Sequence, residues 1–336
     1  MNEAALRERD AAGDAVAARE LGVLLQERGE LDEAEAAYGR AGERGDVIAL
    51  GKLAILIDVY RDDPPRAEAA YRRADEAGSI DGAGNLGRIL RERGDLLGAE
   101  RAFKRCFERG SMRALGDYAG LLSQRRDASV EEIAEAVRNL CLAEDRVTTA
   151  GPELSDAGME AGAAVMVFSG MWERCDPAAM EAGVTIADRE GSASAAYHLG
   201  LTLRERGELA SASAAFRRGG ERGYAASWVN AAVCLSELGE LGEARAAAER
   251  GEELGDASGA TMLGLIHEQE GDEEASLAAY VRADEGGDGN GSHNLGIKLF
   301  QRDRLIEAEA ALGRAEERGV ANAAAAREQV RARLGL

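Results

Sequence analysis

Small and apolar residues recur at fixed distances along this chain: a Leu-Gly pair, then an alanine, an aromatic residue and a second alanine. A glycine precedes each such stretch at intervals of 32 or 33 residues, and one wider interval separates Gly110 from Gly191. A step of 32 residues back from Gly191 reaches Met159, where the pattern continues without its glycine. Because a fixed period of this length is the signature of repeat proteins, we interpret the chain as nine repeats. They begin at residues 13, 45, 78, 110, 159, 191, 223, 255 and 287.

Each repeat is predicted to contain two helices, because alanine and leucine favour helices and aromatic residues, which favour strands, make up only 4% of the chain. The glycine at repeat position 1 is predicted to end one helix at positive φ, and the Asp or Ser at position 2 to cap the next. A second break, usually a glycine, falls at position 17 and separates two helices of about 14 residues, roughly 21 Å long. The predicted caps are Asp14, Asp46, Ser79, Ser111, Ser192, Asp256 and Asp288, and the second-break glycines are Gly29, Gly94, Gly207, Gly239 and Gly271.

The repeats predict five segments along the chain. Residues 1–12 form an N-terminal cap or tail, residues 13–141 hold repeats one to four, and residues 142–158 are an insertion that contains a Gly-Pro pair. Because neighbouring repeats stabilise one another, a segment that interrupts them is the candidate for a hinge or a functional loop. Residues 159–318 hold repeats five to nine, and residues 319–336 are predicted to form a C-terminal capping helix.

These recurring positions resemble the signature of the tetratricopeptide repeat family, which has Leu-Gly in the first helix and Ala, an aromatic residue and Ala in the second. Sel1-like repeats share the Leu-Gly pair but have a longer period, and they are the weaker match. The resemblance implies an all-α fold, a right-handed superhelical α-solenoid of about nine helix-turn-helix repeats whose first helices line a concave groove. The Leu-Gly pairs are Leu21-Gly22, Leu86-Gly87, Leu199-Gly200, Leu263-Gly264 and Leu295-Gly296, and the aromatic residues are Tyr38, Tyr71, Phe103, Phe216 and Tyr280.

Charge, hydrophobicity and cysteine spacing narrow the classes of partner. The 62 acidic residues exceed the 41 basic ones and give a net charge of −21, so the surface repels phosphate backbones, and few aromatic side chains are present to stack on bases. The chain opens without the basic start and apolar run of a signal peptide, and it has no apolar stretch long enough to span a membrane. The four cysteines are far apart, which is typical of reduced thiols. We therefore expect a cytoplasmic protein that binds neither nucleic acid nor membrane.

The sequence contains no group of residues with the spacing of an active site or a metal centre. The three histidines lie apart from one another and from partners at ligand spacing, and His267 occupies a packing position. The chain has no nucleophile elbow, phosphate-binding loop or dinucleotide-binding glycine motif. The carboxylates stand in Glu-Arg-Gly turns that are predicted to be solvated helix ends, and none is marked as a buried acid. We expect no catalytic residue, no metal and no cofactor.

By the resemblance, partner-binding residues lie on the first helices at repeat positions 4, 7, 8, 11, 14 and 15. Asn recurs at position 8, where family members that clamp a peptide use Asn to bond the ligand backbone or a terminal carboxylate. Trp172 replaces a polar residue at position 14 and is interpreted as a contact residue or as cover for the insertion, whereas Trp228 is interpreted as packing. Ordinary solvated helix faces are the alternative interpretation of the whole set. The candidate groove residues are Asn85, Arg88, Arg91, Arg113, Trp172, Tyr197, His198, Arg204, Asn230, His293 and Asn294.

The favoured function is a scaffold or adaptor that binds a peptide segment or a protein partner in the concave groove. Arg88, Arg91 and Arg113 form a basic island in an acidic chain, so the partner is expected to present an acidic segment or a chain terminus. A self-assembling structural solenoid and a regulatory receptor for a small peptide ligand are the alternatives, and an enzyme is a distant fourth. Light scattering as a function of concentration separates homo-oligomerisation from the other two.

Overall fold

The regular structure of this chain is helical. The computed structural model describes residues 2–61, 63–150 and 170–336, with the backbone alone for residues 112 and 147–150. Within these ranges no strand is present, and the helices follow one another as pairs joined by short turns. The described ranges contain eight complete pairs and the second helix of a ninth. The predicted all-α fold of tandem helix-turn-helix repeats is confirmed.

The chain divides into two compact units, residues 1–179 and residues 180–336. Unit 1 contains α1 (Glu3–Ala11), α2 (Ala15–Glu27), α3 (Leu31–Glu43), α4 (Val47–Arg61), α5 (Pro64–Glu76), α6 (Ile80–Glu92), α7 (Leu96–Glu108), α8 (Met112–Leu122) and α9 (Val130–Ala150). The boundary falls inside α10 (Pro177–Arg189). Unit 2 continues with α11 (Ala193–Glu205), α12 (Leu209–Glu221), α13 (Ala225–Glu237), α14 (Leu241–Glu253), α15 (Ser258–Glu270), α16 (Glu273–Glu285), α17 (Gly289–Gln301), α18 (Leu305–Glu317) and α19 (Ala323–Leu334).

At most boundaries between repeats, the turn forms where a glycine and a capping residue stand next to each other. Gly45 has a φ of 90° and Gly78 a φ of 93°, a backbone conformation that side-chain-bearing residues rarely adopt. The residue after the glycine then caps the next helix, as when the Ser79 hydroxyl accepts a hydrogen bond from the Gly82 N–H at 3.0 Å. All seven predicted capping side chains accept such a bond from a backbone N–H two or three residues further on, so these predictions are confirmed.

In five repeats the core forms around an aromatic residue of the second helix. The Tyr38 side chain is fully buried, and a Cβ added to Gly22 would lie 2.6 Å from its ring. Only glycine therefore lets the ring lie directly against the first helix, which explains the recurrence of Leu-Gly. The same close contact joins Gly87 to Phe103, Gly200 to Phe216 and Gly264 to Tyr280.

The predicted insertion at residues 142–158 lies partly outside the described residues. Residues 142–150 continue α9, and residues 151–158 fall outside the described part of the chain. The same holds for residues 159–169, the predicted start of the fifth repeat, whereas residues 170–174 are helical. The division of the chain at this insertion stays a prediction.

At four points along the chain a buried aspartate connects its helix to the second helix of the following repeat, and this corrects the prediction that no carboxylate is buried. Asp75, at the end of α5, is 4% exposed and accepts hydrogen bonds from Arg105 at 2.5 Å and from Arg109 at 2.7 Å, both at the end of α7. Each arginine has more solvent contact than the carboxylate it binds. We call this arrangement an Asp joint. The other three are Asp10 with Arg40 and Arg44, Asp188 with Arg218 and Arg222, and Asp284 with Arg314 and Arg318.

Candidate partner-binding face

A cavity of about 280 Å³ lies between the first helices of the third and fourth repeats in unit 1. Repeat positions 4 and 8 of both helices line this space, as Asp81 and Asn85 on α6 and as Arg113 and Asp117 on α8. The cavity is also lined by Phe103 and Cys106 of α7. It brings together four of the predicted groove residues, which are Asn85, Arg88, Arg91 and Arg113.

Arg88 is engaged within the protein rather than free for a partner. It donates to the Asp58 carboxylate at 2.5 Å and to Glu92 at 3.0 Å. Asp58 also accepts a hydrogen bond from the Tyr71 hydroxyl at 3.1 Å. Burial raises the pKa of Tyr71, and the nearby Asp58 carboxylate raises it further, so the phenol remains a donor. Arg88 belongs to the predicted basic island, but two carboxylates of the protein itself neutralise its charge.

Arg91 is likewise paired inside the cavity. Its guanidinium donates to Asp117 at 2.6 Å and lies 5.5 Å from the centre of the Phe103 ring. A cation held over an aromatic face and bonded to a carboxylate is already well satisfied. Arg113 differs, because it is exposed and forms no ion pair with any residue in the described ranges. Arg113 is thus the cation of this cavity that an anionic group of a partner can reach without breaking an existing pair.

Position 14 of the first helix is coupled to the aromatic residue of the second helix. In two repeats with tyrosine, position 14 accepts a hydrogen bond from it: the Tyr38 hydroxyl donates to Gln26 at 2.9 Å and the Tyr71 hydroxyl to Asp58 at 3.1 Å. Where the aromatic residue is phenylalanine, position 14 is an arginine, namely Arg91 beside Phe103 and Arg204 in the repeat of Phe216. Sequence reasoning assigned position 14 to partner binding and missed this coupling. The signal was present in the sequence as matched pairs within each repeat.

In unit 2 the predicted residues of the sixth and seventh repeats lie close together. The Tyr197 ring stacks on Tyr224 with ring centres 4.9 Å apart and meets His198 edge-on at 5.5 Å. Arg204 donates to the Asn230 side-chain oxygen at 2.9 Å. Tyr224 stands at repeat position 2, where other repeats carry a capping Asp or Ser, and its side chain makes no capping bond. This repeat has an aromatic side chain where most repeats have a helix cap.

The remaining predicted residues, Trp172, His293 and Asn294, are half-buried. His293 and Asn294 lie side by side on α17, and the Nδ1 atom of His293 is buried without a hydrogen-bond partner in the described residues. Trp172 lies in the helical stretch at residues 170–174, and its role stays a prediction. Trp228 packs against the core cluster of unit 2, which confirms its interpretation as a packing residue.

The described residues contain no group of three or more side chains that could hold a metal ion. The four cysteines are free thiols, and burial raises the pKa of Cys106, Cys175 and Cys234. These thiols stay protonated at neutral pH and are weak nucleophiles. Across the described ranges, every helix is too short or too polar to cross a membrane.

Comparison with known proteins gives matches among solved structures only at low sequence identity. No family model matches the sequence, and no curated protein matches it. One similar solved structure is c5321, a protective antigen of uropathogenic Escherichia coli with an SLR fold, at 19% identity and a TM-score of 0.39 over 96% of this chain and 81% of that one. Another is yeast Tom70, at 12% identity and a TM-score of 0.42 over 96% of this chain and 88% of that one. The tandem helix-pair fold follows from the helices and turns of this chain itself.

Proposed function

We propose that this chain is a scaffold or adaptor that binds a protein partner on the faces of its first helices, without a cofactor and without catalysis. The observation that carries the proposal is the cavity between α6 and α8. It is lined by polar side chains from two successive repeats, and its exposed Arg113 has no ion pair in the described part of the chain. A surface assembled from successive repeats suits an extended ligand better than a compact one.

Asn85 supports a peptide as the ligand. Its side-chain N–H₂ donates to the Asp81 carbonyl at 3.1 Å, one turn earlier on the same helix, which fixes the orientation of the amide. The amide oxygen, which accepts no hydrogen bond from the described residues, is an acceptor for a backbone N–H. Arg113 then supplies a cation for an acidic side chain or a terminal carboxylate of the same segment.

Site-specific photo-crosslinking tests this proposal. Benzoylphenylalanine replaces Asp81, an exposed residue that lines the cavity, and in a matched variant it replaces Ala69, an exposed residue on the second helix α5. In an extract of the cells that make the protein, we expect adducts with other proteins from position 81 and few from position 69. Adducts that form mainly from position 69 contradict the proposal, and adducts that join two copies of this chain indicate self-assembly instead.

A further inference from the structure

Helix α4 departs from every other first helix at one position. At repeat position 15 the other eight repeats carry Glu or Gln, whereas the second repeat carries Val59. The Val59 side chain is 64% exposed, so the departure does not serve the core. The repeats act as an internal reference here, because each is built on the same helix pair and most keep this position polar. A single exposed apolar residue is unremarkable in itself, but a valine at a position where the other repeats carry Glu or Gln needs its own explanation.

Val59 belongs to a stripe along α4 that consists of Ile48, Lys52, Ile55 and Val59. Spacings of four, three and four residues place these side chains on one face of the helix. Ile48 is 56% exposed, and Lys52 and Ile55 are half-buried. We call this set the α4 stripe. A row of aliphatic side chains in contact with water is a surface that gains free energy when a partner covers it, by about 25 cal/mol for each Å² of apolar area removed from water.

The α4 stripe adjoins the cavity of the third and fourth repeats. Asp58, the neighbour of Val59 in the chain, binds Arg88, which lines that cavity. Ile80, which is 43% exposed, stands at the cavity rim at the start of α6. Ion pairs connect α4 to α6 and α6 to α8, so the stripe and the cavity lie on adjacent first helices of unit 1.

The charges on these helices determine which partner they attract. On the first helices α2, α4, α6 and α8, the cations that form no ion pair with described residues are Lys52 and Arg113. Of the nearby carboxylates, Asp58 and Asp117 are already bound by arginines, whereas the exposed Asp81 lines the same cavity without an ion pair in the described residues. The chain as a whole carries a net charge of −21, which repels acidic partners over most of the surface. An acidic segment therefore gains most where it reaches both Lys52, which lies in the aliphatic row of α4, and Arg113, which lies in the adjoining cavity.

We propose that the α4 stripe binds an acidic amphipathic segment of a partner protein, whose aliphatic side chains cover Ile48, Ile55 and Val59 and whose carboxylates meet Lys52 and Arg113. The inference rests on the proposed function and adds to it the anchoring helix and the chemistry of the partner.

The first experiment compares three short synthetic peptides of equal length in fluorescence anisotropy with the full chain. One peptide has Leu and Glu at helical spacing, the second has Lys in place of every Glu, and the third has Ser in place of every Leu. We expect the Leu/Glu peptide to bind about tenfold or more tightly than either of the others, because only it offers both the apolar area and the complementary charge. Equal binding of the Leu/Glu and Leu/Lys peptides overturns the proposal.

The second experiment gives α4 the residue that its neighbours carry. Val59→Glu introduces the side chain that Glu27 and Glu92 place at the equivalent position, so the fold accommodates it. We expect about tenfold weaker binding of the Leu/Glu peptide, because a carboxylate then faces its aliphatic row. Ile306→Glu is the matched control, since Ile306 is 77% exposed on α18 in unit 2, and it should bind the peptide as the unmodified chain does.

The outcomes separate this inference from the proposed function. If Val59→Glu keeps its helical circular dichroism spectrum and binds the peptide normally, the α4 stripe is not the anchor, even where crosslinks from position 81 still show a partner on the first-helix face. Sedimentation velocity tests the other occupant. A dimer of the unmodified chain that Val59→Glu dissociates shows that a second copy covers the stripe, and this result also overturns the proposal.

Discussion

Asp75 shows how a charged group is kept inside a helical repeat protein. Burial on its own would raise the pKa of this carboxyl, but hydrogen bonds from Arg105 and Arg109 outweigh burial, and the pKa lies below its ordinary value. The carboxylate is therefore ionised and fully bound, with both oxygens used. Removal of one partner from such a group is costly because the others stay behind unpaired. The Asp joint thus holds two helices of different repeats together.

Asp75→Asn should destabilise the chain by about 1–3 kcal/mol, since the amide keeps the shape but loses the charge that two arginines bind. The cost stays below that of a fully buried pair because the Arg105 and Arg109 side chains are 40% and 27% exposed and can turn to water. Urea unfolding followed by circular dichroism measures the change.

Asp32→Asn provides the comparison for this variant. Asp32 pairs with Arg61 but has a side chain that is 93% exposed, so its loss should change the free energy of unfolding by less than about 0.5 kcal/mol. Equal effects of the two substitutions would mean that burial adds nothing to the Asp joint.

The Asp joints escape prediction from a single repeat. One arginine of each joint stands in a Glu-Arg-Gly turn, which the sequence predicts to be a solvated helix end. The joint becomes visible only across repeats, because each aspartate stands 30 and 34 residues before its two arginines. That double spacing recurs four times along the chain.

Between helices, a second type of contact takes the place of the Asp joint at two repeat boundaries. In α3 the position equivalent to Asp75 is Gly42, and a Cβ there would lie 2.4 Å from the Leu50 side chain of α4. In α12 it is Gly220, where a Cβ would lie 2.5 Å from the Trp228 ring of α13. The residue equivalent to Leu50 is Ala83 where the aspartate is Asp75. Where the second helix carries glycine, the next first helix thus carries a large apolar residue, and where it carries the joint aspartate, the next helix carries a small one. The total side-chain volume between the two helices is therefore similar in both types of contact.

Two glycines of the same helix test this packing. Gly42→Ala forces the buried Leu50 to move and should destabilise the chain, whereas Gly39→Ala meets no atom within 4 Å. The second substitution should stabilise the helix by up to about 1 kcal/mol, because alanine is the better helix former. We expect the two variants to differ in free energy of unfolding by about 1–3 kcal/mol. Indistinguishable variants would show that the contact between α3 and α4 has free volume.

The ends of the helices were predictable from the sequence. The contacts between helices were predictable only in part. A glycine followed by Asp or Ser acts through its own backbone and the next turn, so its effect is local, and the predicted ends agree with the structure. The groove residues were harder to predict, because Arg88 and Arg91 form ion pairs with Asp58 and Asp117 in neighbouring repeats. Residue type indicated that these arginines face a common cavity, but the pairing that neutralises them arises only from the packing of three helices.

In the molecule as a whole, two opposing effects of charge are spread over both units. Unit 1 contains the joints of Asp10 and Asp75, and unit 2 those of Asp188 and Asp284. In a repeat protein each boundary contributes separately to stability, so the four joints add to the stability of the units that contain them. The net charge of −21 at pH 7 opposes this stabilisation, because the excess negative charges repel one another in the compact state.

The dependence of stability on pH should therefore pass through a maximum in the acidic range. As the pH falls from 7 toward the isoelectric point of about 4.7, the net charge and its repulsion disappear, so the free energy of unfolding should rise, and the rise should be smaller in high salt. The pKa of each joint aspartate is lower in the folded chain than its ordinary value, because the hydrogen bonds of its two arginines outweigh the opposing effect of burial.

An acid that is stronger in the folded state stabilises the fold above its unfolded pKa, about 3.9 for Asp, and this contribution is lost as the pH falls from there through the folded pKa. We expect urea midpoints measured by circular dichroism to decline below about pH 4. A variant with Asn at all four positions should have lower midpoints at neutral pH but a shallower decline in acid. A wild-type midpoint that already falls between pH 7 and pH 5, or an acid decline that is unchanged in the Asn variant, would show that groups other than the Asp joints control the acid stability of this chain.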